Sequence, residues 1–185
     1  MERLDPHTSV LLLVDVQERL APAMDPEAMA RLLDATKVLI EAAKVLGVPV
    51  VASEQYPKGL GSTVAAIAEP LREMGVTPID KVTFDACGEP RIAGAIAATS
   101  ARSVVIAGIE AHVCVFQTAR GLAKKGIDVR VVADAVASRH PDNRLLGLAL
   151  CGRAGAVAMP MESVVFDWLE KAGTDAFRHL SKLLR

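Results

Sequence analysis

A doubly wound α/β fold is predicted by two features of this 185-residue chain. Short β-branched runs alternate with longer alanine- and leucine-rich segments of helical period, the order that builds β-α-β crossovers. The β-branched runs are also nearly continuous in apolar character rather than alternating, which marks strands covered on both faces. Together they imply three layers, α/β/α, around a six-stranded, mostly parallel sheet of Rossmann-like type. With 51% hydrophobic residues the chain is long enough for one well-buried core and short for two, so residues 1–185 are read as a single domain.

The strands fall at Ser9–Val16 (SVLLLVDV), Val48–Ser53 (VPVVAS), Val76–Val82 (VTPIDKV), Ser103–Ile109, Asp128–Ala133 (DVRVVA) and Ala156–Met159. After the first strand, the segment Glu27–Leu46 carries apolar residues at Leu32, Leu33, Val38, Leu39, Ala42, Ala43 and Leu46. Pro26 stands near the start of that helix and Gly47 after its end, where each residue type is favoured. No helix is assigned between Ser53 and Val76. Further helices are predicted over about Glu89–Thr99, Cys114–Lys125, Asp142–Gly152, Glu162–Lys171 and Asp175–Leu184, with Asp142, after Pro141, as a capping carboxylate. There is no internal repeat, low-complexity tract or linker.

Composition excludes several function classes. The formal net charge is −1 with both signs interspersed, and the aromatic residues are one Trp, one Tyr and four Phe. Neither a basic face nor a stacking surface is available, so nucleic acid is not an expected partner. No apolar run approaches the roughly 20 residues that span a bilayer, and the start MERLDPHTSV lacks a basic-then-apolar leader pattern. A cytoplasmic protein without a membrane partner is expected. Cys87, Cys114 and Cys151 are odd in number, widely spaced and form no CxxC pair, which fits free thiols rather than a disulfide framework or a structural zinc site.

In doubly wound sheets the ligand crevice lies beyond the carboxyl ends of the strands. Three chemically capable residues fall there: Asp15 closes the first strand, Lys81 closes the third, and Cys114 follows the fourth. An acid at the end of LLLVD and a lysine inside IDKVTF are costly to bury unless each meets a partner. Cys114 is predicted in the first turn of a helix, where unpaired N–H groups and the helix dipole favour thiolate over thiol. The division of labour follows. Asp15 takes the thiol proton and returns it to the leaving group, while Lys81 keeps the carboxylate ionised and stabilises the thiolate. Backbone N–H groups in the turn before Cys114 are placed to form an oxyanion hole. Separate salt bridges at loop edges and a cysteine that merely fills a corner are the structural alternatives.

These residues lie in motifs that resemble the isochorismatase-like cysteine hydrolases, a superfamily that includes nicotinamidases, N-carbamoylsarcosine amidases and isochorismatases. LLLVDVQ is similar to the family segment carrying the aspartate, here Asp15, with Gln17 following. DKVTFDAC is similar to the lysine segment, here Lys81 with Phe84 following, and GIEAHVCVFQTA to the cysteine segment, here Cys114. VRVVADAVASR and AGAVAMPMESVVFDWL match family patterns beyond the site. SEQYPKGLGSTV and the tail AGTDAFRHLSKLLR resemble the small isochorismatase-domain-containing branch. The resemblance implies an Asp15–Lys81–Cys114 triad, hydrolysis through an acyl-enzyme, a cis Ile109–Glu110 peptide bond that aims the N–H groups of Glu110 and Cys114 at one oxyanion, and a homo-oligomer.

Two departures bear on substrate. Nicotinamidases place aspartate and histidine metal ligands after the second strand, whereas this chain has Ser53, Glu54, Gln55 and Tyr56 there. No metal and no cofactor are therefore expected. Isochorismatases can dispense with the cysteine, so Cys114 points to carbonyl chemistry on a small amide, carbamoyl, imide or ester. Gln17, Glu54, Gln55, Tyr56, Phe84 and His112 are candidate pocket residues. Surface polarity accounts for the Glu54–Tyr56 run equally well, and His112, two residues before Cys114, has a loop role as its alternative. Cys87 borders the crevice or packs, and Cys151 is read as buried filler. KGLGS is neither a Walker loop nor a dinucleotide fingerprint. Two readings from other classes stand beside the hydrolase: a non-catalytic small-molecule or protein-binding domain, and a redox-responsive thiol protein using Cys114 and Cys87.

Overall fold

The architecture grows from six strands, the central ones too apolar to face water, in a computed structural model that describes residues 2–184. They are β1 (Ser9–Val14), β2 (Val50–Gln55), β3 (Ile79–Lys81), β4 (Ser103–Ile109), β5 (Asp128–Ala137) and β6 (Val157–Met159). All pair in parallel, in the spatial order β3-β2-β1-β4-β5-β6. The chain begins at the centre, winds out to β3, returns to the other side of β1 and winds out to β6. The crossovers therefore diverge between β1 and β4, which opens the crevice of a doubly wound sheet at their carboxyl ends.

Every residue of β1 and β4 is buried. Alternation along β1 sends Leu11 and Leu13 to one face and Val10, Leu12 and Val14 to the other. Packed on the first face are α1 (Pro26–Leu46), α3 (Ala65–Glu73), α7 (Met161–Leu169) and α8 (Asp175–Leu180), through residues such as Leu32, Leu39, Ile67, Leu71, Trp168 and Leu180. The second face is covered by α4 (Pro90–Ala98), α5 (Phe116–Lys124) and α6 (Pro141–Arg153), through Ile92, Ile96, Leu122 and Cys151. The short α2 (Pro57–Leu60) links β2 to α3. The helix signals around α1 hold: Asp25 accepts from the Ala28 N–H at 2.9 Å, Pro26 is the first helical residue, and Gly47 closes the helix at φ 71°.

Several boundaries differ from expectation. β1 stops at Val14 because Asp15 turns to φ 54°. β2 is displaced two residues onward, to Val50–Gln55, so Glu54 and Gln55 are strand residues. β3 is only three residues long, since the preceding Pro78 cannot donate to a ladder. α3 forms where no helix is expected, and it carries Pro70 in its interior. It forfeits one helical bond, and the burial of Ile67 and Leu71 outweighs that loss. β5 continues to Ala137 through an irregularity opposite Ile106 and Gly108, where Arg144 donates to the carbonyls of Ala133 and Val136. Asp142 is not the cap of α6: His140 occupies that position without a side-chain bond, and Pro141 opens the helix.

Candidate active site

Asp15 is placed by the end of β1. Its N–H donates to the Ser53 carbonyl at 3.1 Å, continuing the β1–β2 ladder for one residue, and its positive φ turns the chain out of the sheet. Aspartate tolerates this conformation better than the β-branched residues before it. The Ser53 hydroxyl, brought opposite by the Val14–Ser53 register, donates to Asp15 Oδ1 at 2.7 Å. Lys81 ends β3 in register with Gln55 and directs Nζ inward. The ammonium donates to Asp15 Oδ2 at 2.6 Å, to Gln55 Oε1 at 2.6 Å and to the Thr83 carbonyl at 3.1 Å. Both charged side chains are 0% exposed. Each has partners for its buried polar atoms, the condition under which an ion pair survives away from water.

Cys114 arrives from β4. Gly108, at φ 135°, passes so close to β1 that a β-carbon there would lie 2.0 Å from the Val14 carbonyl oxygen. This approach sets the residue after β1 beside the turn after β4. The Ile109–Glu110 peptide bond is cis. Ala111–Val115 then form a wide π turn, in which the N–H groups of Val113 and Val115 donate to the Glu110 carbonyl at 3.1 and 3.2 Å, and α5 follows directly. Cys114 thus stands on a π turn before α5 rather than in the first turn of an α-helix.

The thiol is not activated in the resting protein. Burial above all, then the charge of Asp15 and that of Glu110, push it up from an ordinary 9.0 to about 12 against an opposing effect of Lys81. The expected bias of the helix start towards thiolate is reversed: at this depth the lost hydration of the anion outweighs the dipole and the lysine.

The remaining predicted residues divide by what they touch. Gln17 is fully buried and braces loops, its Nε2 donating to the carbonyls of Gln55 and Gly61 at 3.0 and 2.7 Å and its Oε1 accepting from the Gln55 N–H at 2.7 Å. The Glu54 carboxylate accepts from the Thr63 N–H and hydroxyl at 2.6 and 2.7 Å, so it holds the loop before α3. Gln55 joins the site through Lys81 and also donates from Nε2 to the Val82 carbonyl at 2.9 Å. Tyr56 and Phe84 are half-exposed; the Tyr56 N–H donates to the Lys81 carbonyl at 2.8 Å, and Phe84 lies three residues after Lys81. His112 is turned from Cys114, its Nδ1 lying 3.1 Å from the Ser138 hydroxyl. Cys87 lines a separate cavity of about 160 Å³ with residues of α4 and α5, among them Ile96 and Leu122, and its thiol is pushed up to about 11 by burial. Cys151 is fully buried in the second-face core.

Ser53 and Arg139 were not singled out as site residues. Ser53 reaches Asp15 only through strand register, and Arg139, which pairs with Glu110, lies on a loop whose position no local pattern reveals. Among the described residues no group of three or more His, Cys, Asp or Glu side chains is gathered as a metal would require.

Residues 9–163 match the isochorismatase domain. The secreted isochorismatase effector Isc1 of Phytophthora sojae is 38% identical over 186 residues, a match taking in 99% of this chain and 87% of that protein. Isochorismatase domain-containing protein 1 of Danio rerio is 36% identical across 98% of this chain, which spans 62% of that longer relative. The structure of MAR1 ribonuclease from Caenorhabditis elegans superposes with a TM-score of 0.90 at 33% identity, covering 99% of this chain and 92% of that one. On these matches in sequence and in fold, this chain belongs to the isochorismatase family, in the branch of the isochorismatase domain-containing proteins.

Proposed function

We propose that the protein is a metal-independent cysteine hydrolase acting on a small amide, carbamoyl, imide or ester through a covalent acyl-enzyme, with residues 1–185 forming one domain. Family membership supports a hydrolase-type function. The observation that carries the finer reading is the buried Lys81–Asp15 pair at 2.6 Å, whose carboxylate charge helps to hold the proton on the buried Cys114 thiol. In this mechanism Asp15 accepts the Sγ proton as the sulfur attacks the substrate carbonyl. The N–H groups of Glu110 and Cys114 receive the developing oxyanion, an effect on the order of a few kcal/mol. Collapse of the tetrahedral intermediate breaks the bond to the leaving amine or alcohol, which takes the proton from Asp15. Water, deprotonated by Asp15, then releases the acid and restores the thiol. Lys81 keeps Asp15 ionised between transfers, and Ser53 fixes the other carboxylate oxygen.

Tyr56 and Phe84 flank the entrance in this reading, while Gln17, Glu54 and Gln55 hold the wall behind it. Metal independence is supported by the donor set, in which Glu54 is committed to Thr63. The family resemblance supports a homo-oligomer, and light scattering should return a multiple of the chain mass. A cytoplasmic location is supported by the free cysteines, whereas one relative is named as secreted. Cell fractionation decides between them.

The deciding experiment is a turnover screen across amides, carbamoyl compounds, imides and esters, with single-stranded RNA included because one structural relative is named a ribonuclease. Cys114→Ala and Asp15→Asn serve as controls. The expected result is hydrolysis of a carbonyl substrate, lost in both variants, with an acyl adduct on Cys114 seen by mass spectrometry. Near-parental turnover in either variant would overturn the assigned roles.

A further inference from the structure

The turn that carries Cys114 is held from one side by the connection between β5 and α6. Arg139 in that connection gives both its backbone N–H, at 3.0 Å, and its Nε–H, at 3.2 Å, to one carboxylate oxygen, Oε2 of Glu110. Its neighbour Ser138 is completely buried, with its hydroxyl 3.1 Å from His112 Nδ1. Behind them α6 closes on the turn: a β-carbon at Gly147 would fall 2.7 Å from the Ala111 carbonyl carbon and the His112 nitrogen. Glu110, Ala111 and His112, three successive residues leading to the nucleophile, are therefore all gripped by residues 138–147.

The grip is also electrostatic. The Glu110 side chain is only 10% exposed, whereas that of Arg139 is 57% exposed. A nearly buried carboxylate needs a counter-charge, and Arg139 provides it from the solvent side while keeping its own hydration. Asp15, Lys81 and Glu110 are the charged groups that face Cys114, and Glu110 opposes loss of the thiol proton. Offsetting the Glu110 charge therefore matters to the sulfur as well as to the turn.

We propose that Arg139 is a positioning residue for Cys114: through Glu110 it fastens the β5–α6 connection to the nucleophile turn and offsets the acidic charge of that turn. The inference rests on Cys114 being the nucleophile of the proposed reaction. Reactivity of that one sulfur, rather than turnover, reads it directly.

The test is alkylation of Cys114 by iodoacetamide in the full chain, followed on the Cys114 peptide by mass spectrometry from neutral to alkaline pH. Arg139→Gln should slow alkylation by about tenfold from neutrality up to about pH 9. Glu110→Gln keeps the shape and removes the charge, and should speed alkylation. Adding Arg139→Gln to Glu110→Gln should change the rate no further, and Arg139→Lys should fall between the parent and Arg139→Gln. Equal rates in the parent and Arg139→Gln would overturn the proposal. So would an Arg139→Gln effect that persists in the Glu110→Gln background, since Arg139 would then act by another route. Unchanged alkylation with a raised KM for anionic substrates alone would assign Arg139 to substrate binding and overturn it too. Should Arg139→Gln not melt cooperatively, the opposite shifts expected of Arg139→Lys and Glu110→Gln carry the same decision. Failure of the hydrolase reading shows separately, as absent turnover in a parent whose Cys114 alkylates normally.

Discussion

Lys81 illustrates how a single buried charge ties stability to chemistry. Its ammonium has three acceptors and no exposure, and Asp15 is equally enclosed. Breaking such a pair from one side leaves an uncompensated charge, so Lys81→Met should cost about 3–5 kcal/mol in urea-melt stability. Asp15→Leu combined with Lys81→Met should recover most of that loss while remaining inactive; a double variant as unstable as the single one would show that packing, not charge, is at stake. Cys114 makes a pH prediction. Its native pKa is raised, to about 12 from 9.0, so the native state holds its proton where the unfolded chain has released it. The resulting stability is fully present below about pH 9 and is lost as pH rises through about 12. Between those limits the Tm of the parent should fall more steeply than that of Cys114→Ala. Parallel Tm profiles would count against a buried, protonated thiol.

At the scale of elements, the site depends on how closely β4 passes β1. Gly108 meets both requirements of that crossing, a φ of 135° and no β-carbon against the Val14 carbonyl. Gly108→Ala should therefore destabilise by about 3 kcal/mol through strain and overlap, and should lower activity well beyond its effect on stability at the assay temperature. Urea midpoints and turnover measured on the same preparation check both parts, and a stable, fully active Gly108→Ala would mean that the strands can separate without disturbing Cys114. The π turn Ala111–Val115 has a similar standing. Helical spacing in GIEAHVCVFQTA anticipated a helix beginning at the cysteine. The wider turn comes from the Glu110 carbonyl receiving the Val115 N–H, a choice made by what packs around the turn.

For the whole molecule, winding outward twice from the centre of the sheet produces one crevice, and the residues with chemistry gather there from positions far apart in the chain. Asp15 and Lys81 are 66 residues apart in sequence and 2.6 Å apart in space. The same fold commits Glu54, near the end of β2, to bracing Thr63. Exhaustive chelation should accordingly leave Tm and turnover unchanged, because no metal-binding free energy is linked to the native state. Activity lost on chelation and restored by zinc or manganese would refute this. No helix among the described residues is long and apolar enough to cross a membrane.

The layering and strand order class, and the end of α1 at Gly47, were legible in the sequence because they follow from apolar periodicity and local backbone preference, which act over a few residues. Asp15, Lys81 and Cys114 were legible as polar residues placed at the ends of buried strands. Their partners were not. Ser53 on Asp15, Gln55 on Lys81, Glu54 on Thr63 and Arg139 on Glu110 depend on strand register and on loops meeting across the crevice, and neither leaves a local pattern. The protonation of Cys114 was misread for the same reason. Helix position and a lysine in the chain argue for a thiolate, but the depth of burial and the charge of Asp15 reverse the balance, and only the folded chain sets both.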